Sequence, residues 1–178
     1  MVESRAAHRY AKALIELAQE QDVLEQVHQD MLDFTRIVDE NRSLLLMLQS
    51  PIVPHFKKQN ILQALFQGKV HPVTFTIFDI ITKKNREGIL YDIARAFHEQ
   101  YNTFNNIQVA QVTTTFPLDG QMRDEFKRMT AAATGKKVEL QEKVDKSLIG
   151  GYILRVGDRQ IDESIKGKLQ KLQYEFNQ

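Results

Sequence analysis

The chain has 178 residues, of which 42% are hydrophobic and 26% are charged, as in an ordinary globular protein. Its 24 basic and 23 acidic residues leave a formal net charge of +1, so it lacks the one-signed field that holds nucleic acid or anionic lipid. It contains no cysteine, which excludes disulfides, cysteine-ligated zinc or iron–sulfur sites and thiol nucleophiles.

Membrane-spanning and targeting segments are not apparent in the sequence. The longest apolar run, Leu44 to Leu48, is far shorter than the about 20 residues that a spanning helix needs. Residues 1–4 show neither the basic nor the apolar part of a signal peptide. We therefore expect the protein to remain in the compartment where it is made.

Apolar residues recur at steps of three and four through residues 1–105, which predicts six helices. The first helix has Ser4 as a possible N-cap and is apolar or small on two sides. One side carries Ala7, Tyr10, Ala11, Leu14 and Ala18, and the other carries Ala6, Ala13 and Leu17. Because one core covers one side of a helix, we expect this helix to be packed on both sides.

The next helices are bounded by proline and glycine. The second covers residues 24–38, and the third covers 41–49 and ends at Ser50-Pro51, because a residue before proline avoids the helical region. Pro54 opens the fourth, which runs to Phe66 and is stopped by Gly68. These signals predict short, tightly connected helices.

The fifth helix opens at His71-Pro72, is apolar on most of its surface until Lys83-Lys84, and has Gly88 at its C′ position. A sixth helix covers residues 90–104. The asparagines Asn102, Asn105 and Asn106 then interrupt the pattern, and six of the eight glycines follow them. We place a domain boundary here, giving a helical domain of residues 1–105 and a second domain of residues 106–178.

The second domain reads as a small α/β unit, so the predicted fold is mostly α. Strands are predicted at 107–115, 137–144 and 152–156, with a helix closed by Gly135 after the first. The tetrad Gly157-Asp158-Arg159-Gln160 is typical of a tight hairpin turn. An amphipathic helix with Ile165, Leu169, Leu172 and Phe176 ends the chain, opened by Asp162 or Ser164.

No pattern predicts a catalytic site. The pair Gly150-Gly151 lacks a phosphate-binding motif and is better explained by a bend or close approach of the backbone. The histidines at positions 8, 28, 55, 71 and 98 have no metal-ligand spacing. Asp158, Asp162 and Ser164 could form an acid, base and nucleophile, but turn and N-cap roles explain them better. Lys57-Lys58 and Lys83-Lys84 are interpreted as solvated helix faces.

Two stretches resemble the delta subunit of the F-type ATP synthase, the counterpart of the mitochondrial oligomycin-sensitivity-conferring protein. The first is the segment Arg9-Tyr10-Ala11-Lys12-Ala13-Leu14. The second, more specific stretch combines the run from Asp145 through Leu148-Ile149-Gly150-Gly151 with Gly157-Asp158 and with Asp162-Glu163-Ser164. Ser50-Pro51, Lys57, Ile61 and Asn85-Arg86 extend the similarity over nearly the whole chain. Glu163 departs from the glycine that is common there.

The resemblance implies a six-helix N-terminal bundle, a smaller C-terminal α/β domain and no catalysis, cofactor or metal. It implies a stator role on the cytoplasmic face of a bacterial membrane, with membrane association only through the complex. The N-terminal helix of an alpha subunit would dock between helices one and five, and the C-terminal region of the b subunit would meet the second domain. The predicted alpha-binding residues are Tyr10, Ala13, Leu14, Leu17, Ile77 and Ile81. The alternative for each is a place in the core of the bundle.

A structural rather than catalytic role is assigned to Leu148, Ile149, Gly150, Gly151, Gly157, Asp158, Asp162 and Ser164. Two other interpretations remain at this point. An unrelated cytosolic helical adaptor would show the same helical stripes, but has no reason to carry the glycine pair and the Gly-Asp turn. An enzyme with a dispersed active site would need a cleft with perturbed carboxylates or histidines.

Overall fold

The fold of the chain is given by a computed structural model that describes the backbone of residues 2–176 and the side chains of residues 5–174 and 176. The chain divides into two compact units, Met1–Tyr101 and Asn102–Gln178. The division falls in the last turn of the helix Leu90–Phe104. Among the described residues, every helix is too short or too polar to cross a membrane.

The first unit is helical. Its helices are α1 (Val2–Glu20), α2 (Leu24–Glu40), α3 (Arg42–Gln49), α4 (His55–Phe66), α5 (Pro72–Lys83) and α6 (Leu90–Phe104). The predicted count of six is not matched in full, because a short 3-10 turn, Glu87–Ile89, precedes α6. The backbone of α1 begins at Val2, so the prediction of Ser4 as its N-cap is wrong.

Proline and glycine bound α4 and α5 largely as predicted, with one exception. Pro54 precedes α4, and Gly68 follows it with a φ of 74°. The prediction that Gly88 ends α5 is wrong, because α5 ends at Lys83 and Gly88 lies in the 3-10 turn. Asn85 takes the left-handed conformation there, with a φ of 54°, which asparagine tolerates better than most residues.

The core of the first unit is aromatic at its centre. Phe34 of α2, Phe66 of α4 and Phe78 of α5 have ring centroids 5.0 to 5.5 Å apart in tilted or edge-on arrangements. Phe97 of α6 is also fully buried. Since such rings contribute large buried areas and favourable ring contacts, the cluster of Phe34, Phe66 and Phe78 joins α2, α4 and α5.

The second unit contains β1 (Ile107–Thr114), α7 (Gly120–Thr134), β2 (Lys137–Val144), β3 (Tyr152–Val156), β4 (Arg159–Asp162) and α8 (Ile165–Phe176). The strand order is β2-β1-β3-β4. β1 pairs with β2 in parallel, with α7 between them in the chain, and the other pairings are antiparallel. The predicted mostly α fold with a small C-terminal sheet is confirmed at this level.

Side chains from β1, β3, α7 and the loop between β1 and α7 form the small core of the second unit: Ala110, Val112, Leu118, Phe126 and Leu154. Asp119 caps α7 by accepting a hydrogen bond from the Met122 N–H, and Gly135 closes it with a φ of 68°. β4 begins at Arg159, so the turn between β3 and β4 consists of Gly157 and Asp158 rather than the predicted four residues. Their positions fit the strong preference of two-residue hairpin turns for glycine and aspartate.

Candidate docking surfaces

The outer side of α1 carries small and apolar side chains. Ala7, Ala11, Leu14 and Ala18 are buried, which leaves Ala13 exposed, Leu17 38% exposed and Tyr10 half-buried. Within the described residues, α1 is therefore packed on one of its two apolar sides, whereas the sequence predicts packing on both. The small side chain of Ala13 would let another helix approach closely.

α1 lies beside α5, the helix that the resemblance pairs with it in the groove. α1 and α5 are in contact. The Arg86 guanidinium, just after α5, donates a hydrogen bond of 3.2 Å to the Tyr10 hydroxyl. The two helices can therefore contribute to a single surface.

The six predicted alpha-binding residues separate into two groups. Tyr10, Ala13, Leu17 and Ile77 present at least part of their side chains at the surface. Leu14 and Ile81 are 1% and 0% exposed and belong to the core of the bundle, which is the alternative that the sequence leaves open. Ile80 of α5, which the sequence does not assign to the groove, is 39% exposed. Spacings of three and four both follow a helix face, so periodicity alone could not choose between Ile80 and Ile81.

The first unit has an open cleft of about 990 Å³, and Arg9 and Arg86 are among the residues that line it. A buried ion pair lies beside this cleft. The Lys58 ammonium is 2.7 Å from Glu87 Oε1 and donates a hydrogen bond of 2.8 Å to the Leu48 carbonyl. Glu87 Oε2 is buried without a hydrogen-bond partner among the described residues. The prediction that Lys58 lies on a solvated helix face is wrong, because Lys58 is buried. Its partner Glu87 is distant in sequence, so the Lys-Lys pair gave no sign of this burial.

The glycine pair of the second unit lies against the segment that leads into α8. Gly151 has a φ of 76°, and a Cβ built there would lie 2.3 Å from the Glu163 carbonyl oxygen. At Gly150 a Cβ would lie 2.6 Å from Ile165 Cδ1, and the Gly150 carbonyl accepts a hydrogen bond of 3.0 Å from the Ile165 N–H. The geometry requires glycine at position 151 because both the φ and the space exclude a side chain.

Asp162 and Ser164 form the entry of α8. The Asp162 carboxylate accepts hydrogen bonds from the Ser164 hydroxyl at 2.6 Å and from the Ser164 N–H at 2.9 Å. These two bonds hold the pKa of Asp162 below its ordinary value. The Ser164 oxygen accepts from the Gly167 N–H at 3.0 Å and is therefore occupied as an N-cap.

The other residues of this segment have local structural positions. Leu148 is 5% exposed and Ile149, with a φ of 68°, is 67% exposed. Gly157 has a φ of 58°, and Asp158 beside it is exposed in the hairpin turn. The Ser147 hydroxyl and N–H bond to the Asp145 carboxylate and lower its pKa, as Ser164 does for Asp162.

Two histidines meet in the first unit without forming a metal site. His28 Nε2 and His98 Nδ1 are 3.0 Å apart, and the His28 ring stacks on Tyr101 with a centroid distance of 3.6 Å. Burial, together with a hydrogen bond to Glu25, raises the pKa of Tyr101 to about 12. Among the residues whose side chains are described, no group of three or more histidine, aspartate or glutamate side chains could hold a metal ion.

Known proteins match the whole length of the chain. The family profile described as ATP synthase delta (OSCP) subunit matches residues 6–176. The ATP synthase subunit delta of Cytophaga hutchinsonii is 41% identical over 178 residues, which cover 100% of this chain and 97% of that protein. The chain belongs to the ATP synthase delta (OSCP) subunit family. The subunit of the same name from Amoebophilus asiaticus is 36% identical over 174 residues, with 97% and 95% of the two chains covered.

As a member of the delta (OSCP) family, the chain is a stator-type, non-catalytic subunit of an F-type ATP synthase. This membership excludes the two other interpretations, an unrelated helical adaptor and an enzyme with a dispersed active site. The fold also resembles a chain in the cryo-EM structure of the Toxoplasma gondii mitochondrial ATP synthase hexamer. The TM-score is 0.73 at 24% identity, with 97% of each chain covered.

Proposed function

We propose that this subunit links the catalytic F1 head to the peripheral stalk and so resists the torque of the rotor during ATP synthesis. The helical domain, residues 1–105 with its six-helix bundle, binds the N-terminal helix of an alpha subunit. The domain of residues 106–178 binds the C-terminal region of the b subunit. The subunit sits peripherally at the cytoplasmic face of a bacterial membrane and reaches that membrane only through the complex.

The observation that carries the proposal is the uncovered outer side of α1. A helix in a small bundle normally exposes polar residues on the side away from the core. Here that side offers Ala13, Leu17 and Tyr10 beside α5, which suits a helix-in-groove contact. A partner helix would remove this apolar surface from water and complete the two-sided packing that the sequence predicts.

A link between two partners needs both of its ends bound at the same time. Joining two binding units in one chain makes the second contact effectively intramolecular, which raises overall retention by about 100- to 10,000-fold when the geometry allows both contacts. The eight residues between Leu148 and Ser164 that have a structural role maintain the fold of the second unit in this proposal and take no part in catalysis.

The variant Ala13→Asp tests the head contact. Ala13 is exposed, so the bundle should remain folded, but a partner helix would bury the new carboxylate without a partner. We expect a loss of about 2 kcal/mol or more in binding of a peptide with the alpha-subunit N-terminal sequence, which is about 30-fold in Kd at 1.4 kcal/mol per tenfold. Isothermal titration calorimetry measures this change.

The matched control is Ala133→Asp, which places the same side chain at an exposed position of α7 in the second unit. It should bind the alpha peptide like the unmodified chain. Equal affinity for Ala13→Asp and Ala133→Asp would contradict the assignment of the α1 surface to the head.

A further inference from the structure

The open cleft of the first unit lies at one end of the outer side of α1. Ala6 lines the cleft, and Tyr10, Ala13 and Leu17 follow it along one face of α1 at steps of four, three and four. The Tyr10 hydroxyl accepts its hydrogen bond from Arg86, which also lines the cleft. A helix that lies along the outer side of α1 would therefore bring one of its ends to this cleft.

The two arginines of the cleft have no acidic partner. The Arg9 guanidinium makes no hydrogen bond or ion pair with any side chain that the structure describes. The Arg86 guanidinium makes only its hydrogen bond to Tyr10, and both arginines are exposed. Because a guanidinium group carries five N–H donors in a planar fork, most of their donors are available to a partner.

The acidic groups of the cleft do not balance these two charges. The Glu87 carboxylate lies 2.7 Å from the Lys58 ammonium, so this buried pair contributes no net charge. Asp92 is exposed where it lines the cleft and forms no ion pair with any described side chain. One carboxylate against two guanidinium groups leaves the cleft positively charged, which favours an anionic partner.

The N-terminal end of α4 adds to this positive potential. Pro54 and His55, at the start of α4, line the cleft. The first turn of α4, all of which the structure describes, has neither an acidic residue nor a side-chain cap. Since the N-terminal end of a helix carries a partial positive charge, this end strengthens the site that the two arginines define.

We propose that Arg9 and Arg86 form a clamp for a carboxylate of the alpha-subunit helix that docks along α1, and that the Tyr10 hydroxyl holds the Arg86 guanidinium in place. Guanidinium and carboxylate groups form paired, charge-assisted hydrogen bonds whose geometry a lysine does not reproduce. The inference rests on the proposed binding of the alpha subunit. It adds the residues that select the partner and the chemistry that the partner must offer.

The clamp would also fix the direction of the docked helix. The apolar side of α1 could accept an amphipathic helix in either direction, whereas the clamp lies at only one end of it. Arg9 precedes Ala13 by four residues, which is about one helical turn. The partner's carboxylate therefore belongs about one turn beyond the partner residue that faces Ala13.

The direct test uses the full chain and two peptides. One has the N-terminal sequence of the alpha subunit from the same complex, and the other has each aspartate and glutamate of that sequence replaced by its amide. We expect the acidic peptide to bind about tenfold more tightly in isothermal titration calorimetry, with the difference shrinking at high salt. Equal binding of the two peptides would overturn the inference.

The variants Arg9→Gln and Arg86→Gln remove the clamp, and Arg42→Gln is the matched control. Arg42 is an exposed arginine of α3 that does not line the cleft, so its loss changes the net charge equally. We expect each clamp variant to weaken the acidic peptide about fivefold and the control to weaken it less than about twofold. The amide peptide should not distinguish the three variants. An equal loss for both peptides in the clamp variants would overturn the inference.

The role of Tyr10 is tested by Tyr10→Phe, which keeps the aromatic ring and removes the hydroxyl group. NMR of the Arg86 Nε–H group reports on the clamp directly. We expect its exchange with water to slow when the acidic peptide binds, and to slow less in Tyr10→Phe. The amide peptide should leave this exchange unchanged, and equal slowing by both peptides would overturn the inference.

The same measurements separate the clamp from the proposed function. If the acidic peptide loses affinity with Ala13→Asp but not with Arg9→Gln or Arg86→Gln, the clamp is wrong and the head contact stands. If neither peptide binds the unmodified chain, the head contact is wrong and the clamp falls with it. Tighter binding of inorganic phosphate than of the acidic peptide at Arg9 and Arg86 would overturn the inference in favour of a free anion.

Discussion

The two units differ in how completely their helices are covered. In the first unit, α1, α2, α5 and α6 each bury a stripe of side chains, and the rings of Phe34, Phe66 and Phe78 pack against one another. In the second, a five-residue core supports the sheet and α7, while α8 buries none of its described side chains. We infer that side-chain packing stabilises the first unit, whereas the second depends more on its backbone geometry.

The largest loss of stability that we expect comes from removing the buried cation of the first unit. Lys58→Ala would leave the Glu87 carboxylate buried without its cation, which costs about 3 to 5 kcal/mol. Hydrogen exchange of the amides in α4 and α6 should report a loss of this size, with the second unit unchanged.

The control for this prediction is the neighbouring exposed residue, Lys57→Ala, which should change the unfolding free energy by less than about 0.5 kcal/mol. If Lys58→Ala were as mild as Lys57→Ala, the ion pair would not contribute to the stability of the first unit. The double variant Lys58→Met with Glu87→Leu should recover much of the lost stability, since it removes both charges.

The next largest loss of stability is expected when the backbone geometry of the second unit is disturbed. Gly151→Val would place a Cβ 2.3 Å from the Glu163 carbonyl oxygen and force a β-branched residue to a φ of 76°. We expect a loss of about 3 kcal/mol or more, confined to the second unit. Scanning calorimetry should show its transition lowered or lost while that of the first unit remains.

Gly120→Val is the matched control, because a Cβ at Gly120 would meet no atom within 4 Å. It should leave the transition of the second unit nearly in place. A common loss of both transitions in Gly151→Val would contradict the independence of the two units.

The smallest effect that we expect is a change in how the stability of the second unit falls at acid pH. Because the folded pKa of Asp162 is lowered, its contribution to stability is complete above the unfolded value of about 3.9 and is lost as the pH falls through the folded pKa. Asp162→Asn removes this ionisation and should flatten the fall in stability of the second unit below about pH 4. Urea unfolding at a series of pH values measures the slope.

Asp158→Asn serves as the control, because Asp158 is exposed in the turn between β3 and β4. It should keep the acid slope of the unmodified chain. If Asp162→Asn kept that slope as well, the bonds from Ser164 would not couple Asp162 to folding.

Much of the secondary structure could be predicted because its signals are local. The left-handed Gly135 closes α7, and Pro72 opens α5, each next to the apolar pattern that it bounds. Gly88 misled the prediction because a nearer residue, Asn85, already provides the left-handed conformation. Such errors arise where two residues can serve the same local purpose.

The covered face of a helix could not be predicted from periodicity. The two apolar sides of α1 look equally suited to a core, yet Leu14 is buried and Leu17 is exposed. Lys58 sits in a Lys-Lys pair that is typical of a solvated face, and its burial depends on Glu87, which only the tertiary fold brings near. Burial of this kind is set by contacts between distant segments, which spacing along one helix does not contain.

Whether the subunit is a link held at both ends is tested most directly by cutting the chain in the complex. A protease site inserted between Asn105 and Asn106 allows proton-coupled ATP synthesis to be measured in the same membranes before and after cleavage, while ATP hydrolysis by the detached head serves as the control. We expect normal synthesis before cleavage, loss of synthesis afterwards and unchanged hydrolysis. Full synthesis after cleavage, or from residues 1–105 alone, would contradict it.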